Sequence, residues 1–100
     1  MVENNTIYNI QSTSNGASAY TVAGLTITTA TNLVVKRNRI HTIWGNSTGT
    51  GASSNQVFGI YNAAIGNSTF LNNQISIGNN TLGETRVFGI QDVAASGNNL

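Results

Sequence analysis

Cysteine is absent from this chain and charge is scarce. Seven of its one hundred residues are Asp, Glu, Lys or Arg, against about a quarter in an ordinary soluble domain. Without cysteine there can be no disulfide and no thiolate metal site. The formal net charge is +1 and no basic stripe is interleaved with aromatics, so nothing gathers phosphates and nucleic acid is excluded as a partner. The only carboxylates are Glu3, Glu84 and Asp92, and the only histidine is His41. No apolar run approaches the roughly 18 residues of a membrane span. The opening stretch MVENNTIYNI has neither a basic region nor an apolar core, so these residues hold no expected signal peptide.

Asn, Thr, Ser and Gly stand where charge would otherwise be. Val, Ile, Phe and Tyr gather in short runs between Gly/Asn/Ser clusters, which is the pattern of strands and turns rather than of a disordered polar chain. A chain of this length is expected to form one domain, residues 1–100.

Two motifs recur in the same order. The tetrapeptide VFGI stands at 57–60 and 87–90, with VAGL at 22–25, so Gly24, Gly59 and Gly89 lie 35 and 30 residues apart. NNTI at 4–7, RNRI at 37–40 and NNQI at 72–75 set Asn5, Asn38 and Asn73 in one column and Ile7, Ile40 and Ile75 in another, at offsets of 33 and 35. Val2, Val35, Phe70 and Leu100 make a further column, and Leu25, Ile60 and Ile90 another; GNNL at 97–100 looks like the start of a fourth copy. Each unit therefore reads as a short strand, an Asn bend, a second strand, a variable polar loop, and a third strand carrying the Gly motif. Such units cannot bury their apolar residues alone, but when stacked they place like strands side by side over a continuous core. The units run over about 1–33, 34–68 and 69–100. An Asn repeated at a bend has a physical cause, because its amide both donates and accepts and can bond the copies before and after it. Asn5, Asn38 and Asn73 are thus expected to form a structural ladder.

The alternation of these Asn-x-Ile and Phe-Gly-Ile motifs resembles the repeat of right-handed parallel β-helix proteins of the pectate-lyase-like superfamily, over essentially the whole chain. The resemblance implies an all-β solenoid of about three coils. Its composition is most similar to that of Asn/Thr/Gly-rich bacterial surface proteins, which implies an extracellular or cell-surface location and a structural or adhesive role, with carbohydrate as a partner. Adjacent coils of a parent chain, or end-to-end self-association, would cover its ends. The alternative is a non-catalytic section of a polysaccharide lyase or glycoside hydrolase. Catalytic relatives imply Asn-Thr-Asp, Asp-Asp, Gly-His-Gly and Arg-Ile-Lys motifs, and this chain has only Arg39-Ile40-His41 as a loose match to the last.

The chemistry-bearing residues are few. Glu3, Glu84 and Asp92 fall in three different columns, so they supply neither a multi-oxygen calcium site nor a paired acid and base. No catalytic residue, metal or cofactor is expected. His41 aligns between Tyr8 and Ser76, beside an inward Ile, and should face outward. Lys36, Arg37 and Arg39 form the one charge cluster, either a solvated edge or a contact for an anionic glycan. Phe58 and Phe88, two places before Ile60 and Ile90, are expected to face inward and stack in the core. Tyr61 has the opposite parity and stands beside the Gly column, whose missing side chains would leave a flat shelf. Trp44 opens the longest loop, WGNSTGTGASSN, either covering the end of its strand or projecting from it. The candidate glycan contacts are therefore Tyr61, Trp44, Arg37, Arg39 and His41.

Overall fold

The computed structural model describes residues 1–14, 21–47, 55–78 and 85–93. The regular structure among them is nine strands and no helix: β1 (Val2–Glu3), β2 (Thr6–Ser14), β3 (Thr21–Ile27), β4 (Leu33–Lys36), β5 (Arg39–Ser47), β6 (Asn55–Asn62), β7 (Ser68–Leu71), β8 (Gln74–Ile77) and β9 (Thr85–Asp92). They form three parallel three-stranded sheets, ordered β1-β4-β7, β2-β5-β8 and β3-β6-β9. Each repeat thus gives one strand to each sheet, and the columns become cross-strand neighbours. Val2 pairs with Val35 and Val35 with Phe70. Ile7, Ile40 and Ile75 align in the second sheet, and Leu25, Ile60 and Ile90 in the third.

The bend between the first and second strands of each repeat is two residues long. Its first residue, Asn4, Arg37 or Asn72, has φ between 52° and 57°, the left-handed region that Asn enters more readily than other side chains. Its second residue is Asn5, Asn38 or Asn73. The side chain of Asn5 donates from Nδ2 to Asn38 Oδ1 at 3.0 Å, and Asn38 Nδ2 donates to Asn73 Oδ1 at 3.0 Å. The backbone N–H groups of Asn5 and Asn38 donate to those same two oxygens, each at 3.1 Å. The second Nδ2 hydrogens of Asn38 and Asn73 go to the carbonyls of Val2 and Val35. Asn38, 1% exposed, thereby uses both amide hydrogens and accepts twice, the full capacity of its side chain.

A second left-handed residue, Asn9 or Thr42, bends β2 and β5 in mid-strand. The bend brings Ile40 and Ile43, three residues apart, to the same inner side, where both are fully buried. In β8 the register steps from His41↔Ser76 to Ile43↔Ile77, so the residue opposite Thr42 is deleted. The core is centred on the middle repeat, with Val35, Ile40, Ile43, Val57 and Ile60 all at 0% exposure.

Three expectations are corrected. The glycine column faces the core and leaves no outer shelf: a Cβ on Gly24 would stand 2.5 Å from Ile40 Cγ2 and 2.9 Å from the Gly59 carbonyl, and one on Gly59 would strike Ile75 Cγ2. Glycine recurs because the second strand of the next repeat packs an Ile methyl against it. Phe58 and Phe88 stack as expected, with centroids 5.2 Å apart, and Phe58 is buried at 2% exposure, but it stands apart from the central apolar cluster. Gly59 and Ile60 both turn inward, which breaks the alternation, so Phe58 shares the outer face with Tyr61, 5.1 Å away. Trp44 lies within a strand rather than opening a loop, because parallel pairing of β2 with β5 continues from Gln11↔Trp44 to Ser14↔Ser47. Glu84 and the start of a fourth copy at 97–100 lie outside the described residues.

Candidate functional site

The outer face of β2-β5-β8 carries three rows set by strand register. Thr6, Arg39 and Gln74 form one row, and Tyr8, His41 and Ser76 the next. The third row begins Gln11, Trp44. Below Trp44 in the third repeat comes Gly78, whose N–H donates to the Ile43 carbonyl at 2.9 Å. A Cβ built on Gly78 would stand 3.5 Å from Trp44 Cβ, so the glycine lies directly against the indole-bearing residue. The middle strand thus presents Arg39, His41 and Trp44, while the third repeat places small residues, Ser76 and Gly78, beside the last two. The step down in side-chain size opens a depression of about 490 Å³ lined by Arg39, Ile40, His41, Thr42, Trp44, Gln74, Ser76 and Gly78.

The walls of this depression are held by contacts with neighbouring side chains. The His41 ring stacks on Tyr8 from β2, centroids 5.4 Å apart and planes within 6° of parallel. His41 Nδ1 lies 3.0 Å from Thr42 Oγ1, which ties one ring nitrogen. Arg39 has no carboxylate partner among the described residues, whereas the neighbouring cations do. Lys36 Nζ lies 3.2 Å and Arg37 Nη2 2.9 Å from Glu3 Oε2. The Lys36 ammonium, with the Arg37 guanidinium beside it, holds the Glu3 carboxyl below the ordinary carboxylate range.

The chain has no counterpart in the comparisons: no family model, no curated protein and no solved structure matches it. The chemistry of the depression must therefore be judged from its side chains. An indole, an imidazole, a guanidinium, an amide and hydroxyls make an amphipathic, hydrogen-bonding surface. No group of three or more His, Asp or Glu side chains converges among the described residues. Glu3 is engaged by two cations, and Asp92 accepts from Asn62 Nδ2 at 3.2 Å; neither lines the depression.

Of the five candidate contacts, Arg39, His41 and Trp44 come together here. Arg37 does not, because the two-residue bend at Arg37 and Asn38 sends it to the ion pair with Glu3. Tyr61 lies on the outer face of another sheet, where it lines a smaller depression of about 320 Å³ with Thr21, Ala23, Thr26, Gln56 and Phe58. Gln74 and Gly78 were not among the sequence candidates. Gln74 could have been found from its alignment with Arg39, but the meeting of Gly78 with Trp44 depends on the one-residue deletion in β8.

Proposed function

We propose that this chain is a section of a right-handed parallel β-helix of about three coils, one domain over residues 1–100, serving as a structural and adhesive element of an extracellular or cell-surface bacterial protein. Its carbohydrate contact is the depression at Trp44. The strand order supports the solenoid: nine strands in sequence return to three parallel sheets in strict rotation, and crossovers between parallel strands strongly prefer the right hand.

The single observation that carries the carbohydrate contact is the exposed convergence of Trp44 with Arg39, His41, Gln74 and Ser76 over Gly78. The C–H faces of a sugar ring are apolar and pack on an aromatic plane. Its hydroxyls need donors and acceptors close by, since a pocket group left unpaired costs binding. The depression offers both, on strands rather than loops, with Arg39 free to meet an anionic substituent.

Trp44 is the only tryptophan, so its fluorescence reports on this face alone. Titration with a panel of neutral and acidic oligosaccharides should change that emission saturably. Saturation-transfer NMR should show contact in the parent chain and in Tyr61→Ala, and should lose it in Trp44→Ala. Absence of transfer from every saccharide would overturn the carbohydrate contact. Product formation abolished by His41→Ala or Arg39→Ala would overturn the non-catalytic role.

A further inference from the structure

We infer that Thr42 is the positioning residue of the depression at Trp44: it bends β5 and, through its hydroxyl, holds the His41 ring in one orientation and one tautomer for a ligand. Among the described residues six non-glycine residues hold a positive φ, and four of them are Asn. The others are Arg37 and Thr42, and Thr42, at 57°, is the one β-branched member. A branched side chain is poorly suited to that angle. Residues held in this way persist only where their surroundings fix them, and they gather at functional sites.

The first repeat shows what the bend takes when no neighbouring ring needs a partner. Tyr8 pairs with His41 and Ile10 with Ile43, so Asn9 is the counterpart of Thr42, with φ at 58°. Asn enters that region at little cost, and the phenol before it has no ring nitrogen to bond. In the third repeat Ser76 stands in the ring's place and the residue after it is deleted. The strained Thr thus occurs where the preceding side chain is an imidazole.

In an extended strand consecutive side chains point to opposite faces, too far apart to bond. The left-handed angle at Thr42 breaks that alternation, so both residues line the depression and His41 Nδ1 lies 3.0 Å from Thr42 Oγ1. The parallel stack on Tyr8 restrains the plane of the imidazole. Stacking is nevertheless indifferent to a half-turn of the ring about its Cβ–Cγ bond, which exchanges Nδ1 with Cδ2. The hydroxyl is not indifferent, because it finds a nitrogen on one side and a carbon on the other. It therefore selects one of two orientations that stacking leaves nearly equal. In a neutral imidazole one nitrogen donates and the other accepts, so the bond at Nδ1 also sets the role of Nε2. Ordering the ring beforehand spares a ligand that cost on binding.

The effect on binding rests on the carbohydrate contact proposed above, whereas the effect on the ring does not. Thr42→Val keeps the branch and the volume and removes the hydroxyl; Thr42→Ser keeps the hydroxyl and removes the branch. His41 is the only histidine, so its ring-nitrogen NMR signals are unambiguous. Recorded with the ring neutral, they should show one tautomer in the parent and in Thr42→Ser, and a mixture in Thr42→Val. Titrating Trp44 emission with a glucose trisaccharide and its glucuronic acid counterpart should give a Kd about fivefold higher in Thr42→Val and close to the parent's in Thr42→Ser. A mixture already present in the parent would overturn the proposal, as would ring signals unchanged in Thr42→Val. Loss of both effects in Thr42→Ser would overturn it too, since the branch rather than the hydroxyl would then matter. So would a changed ring with unchanged affinity. If the parent binds neither trisaccharide, that failure counts against the carbohydrate contact, and the ring signals alone decide the role of Thr42.

Discussion

Replacing Asn38 by alanine removes four side-chain hydrogen bonds at once: two accepted by Oδ1 from Asn5, and two donated by Nδ2 to Val2 O and Asn73 Oδ1. At about 1 kcal/mol net for each bond, the loss is about 4 kcal/mol. A small domain has only about 5–15 kcal/mol in total. With a urea slope of about 1–2 kcal/mol/M for a chain of this size, the unfolding midpoint should fall by about 2 M or more. Asn5→Ala sets the scale, since exposed Asn5 gives up only two side-chain bonds, to Glu3 O and Asn38 Oδ1, and should cost about 1 kcal/mol. Asn38→Asp separates shape from hydrogen bonding. It keeps the acceptor but turns an oxygen toward Val2 O and Asn73 Oδ1, which raises the folded-state pKa of the new carboxyl above the ordinary value of about 3.9. Relative to the parent, this variant should therefore be most stable below that value and lose stability as pH rises through its folded pKa. An Asn38→Ala midpoint shift no larger than that of Asn5→Ala would refute the ladder as a source of stability.

Gly59→Ala should destabilise by about 2–3 kcal/mol, because the new Cβ would strike Ile75 and lie 2.6 Å from the Gly89 carbonyl; Gly89→Ala in dilute solution should stay within about 0.5 kcal/mol of the parent, both read by urea denaturation. Thr42 holds φ at 57°, a strained angle for a β-branched residue. The preceding repeat has Asn9 in that place, so Thr42→Asn should raise the urea midpoint by the equivalent of about 1 kcal/mol; an unchanged midpoint would remove strain at this bend from the account. Glu3 has its pKa lowered chiefly by Lys36 and then Arg37, so its contribution is present above the ordinary carboxylate value and is lost as pH falls through the folded-state value. Thermal midpoints from pH 7 to pH 2 should show a smaller acid loss for Glu3→Gln than for the parent chain.

The columns are legible in the sequence because the same environment returns in each repeat. Val2, Val35 and Phe70 must all be apolar to bury one another, and the bend takes a short side chain that both donates and accepts, as Asn does. Facing is harder to read, since period-two alternation holds only along an unbroken strand. Gly59 and Ile60 both turn inward, so Phe58 cannot be placed by counting back from Ile60. The ends of β2 and β5 are hidden for a different reason: Ser, Asn and Thr there read as loop residues, yet parallel pairing with a matching neighbour keeps them extended. The depression at Trp44 is half legible. Arg39, His41 and Ser76 follow from alignment, whereas Gly78 reaches Trp44 only because β8 lacks one residue. The separation of Arg37 from Arg39 comes from a backbone bend that charge spacing alone does not reveal.

The asparagine ladder has a direction. Asn5 donates to Asn38 and Asn38 to Asn73, so the side-chain dipoles point the same way and polarise one another. One end of the row is a donor and the other an acceptor, so two like ends brought face to face would oppose donor to donor. That polarity disfavours a two-fold symmetric dimer, whose interface must be self-complementary. It favours heterologous contacts, which close into rings if the rotation allows and otherwise extend as filaments. Where the rotation does not close, assembly along this axis has no built-in stoichiometry, and its length is set by concentration.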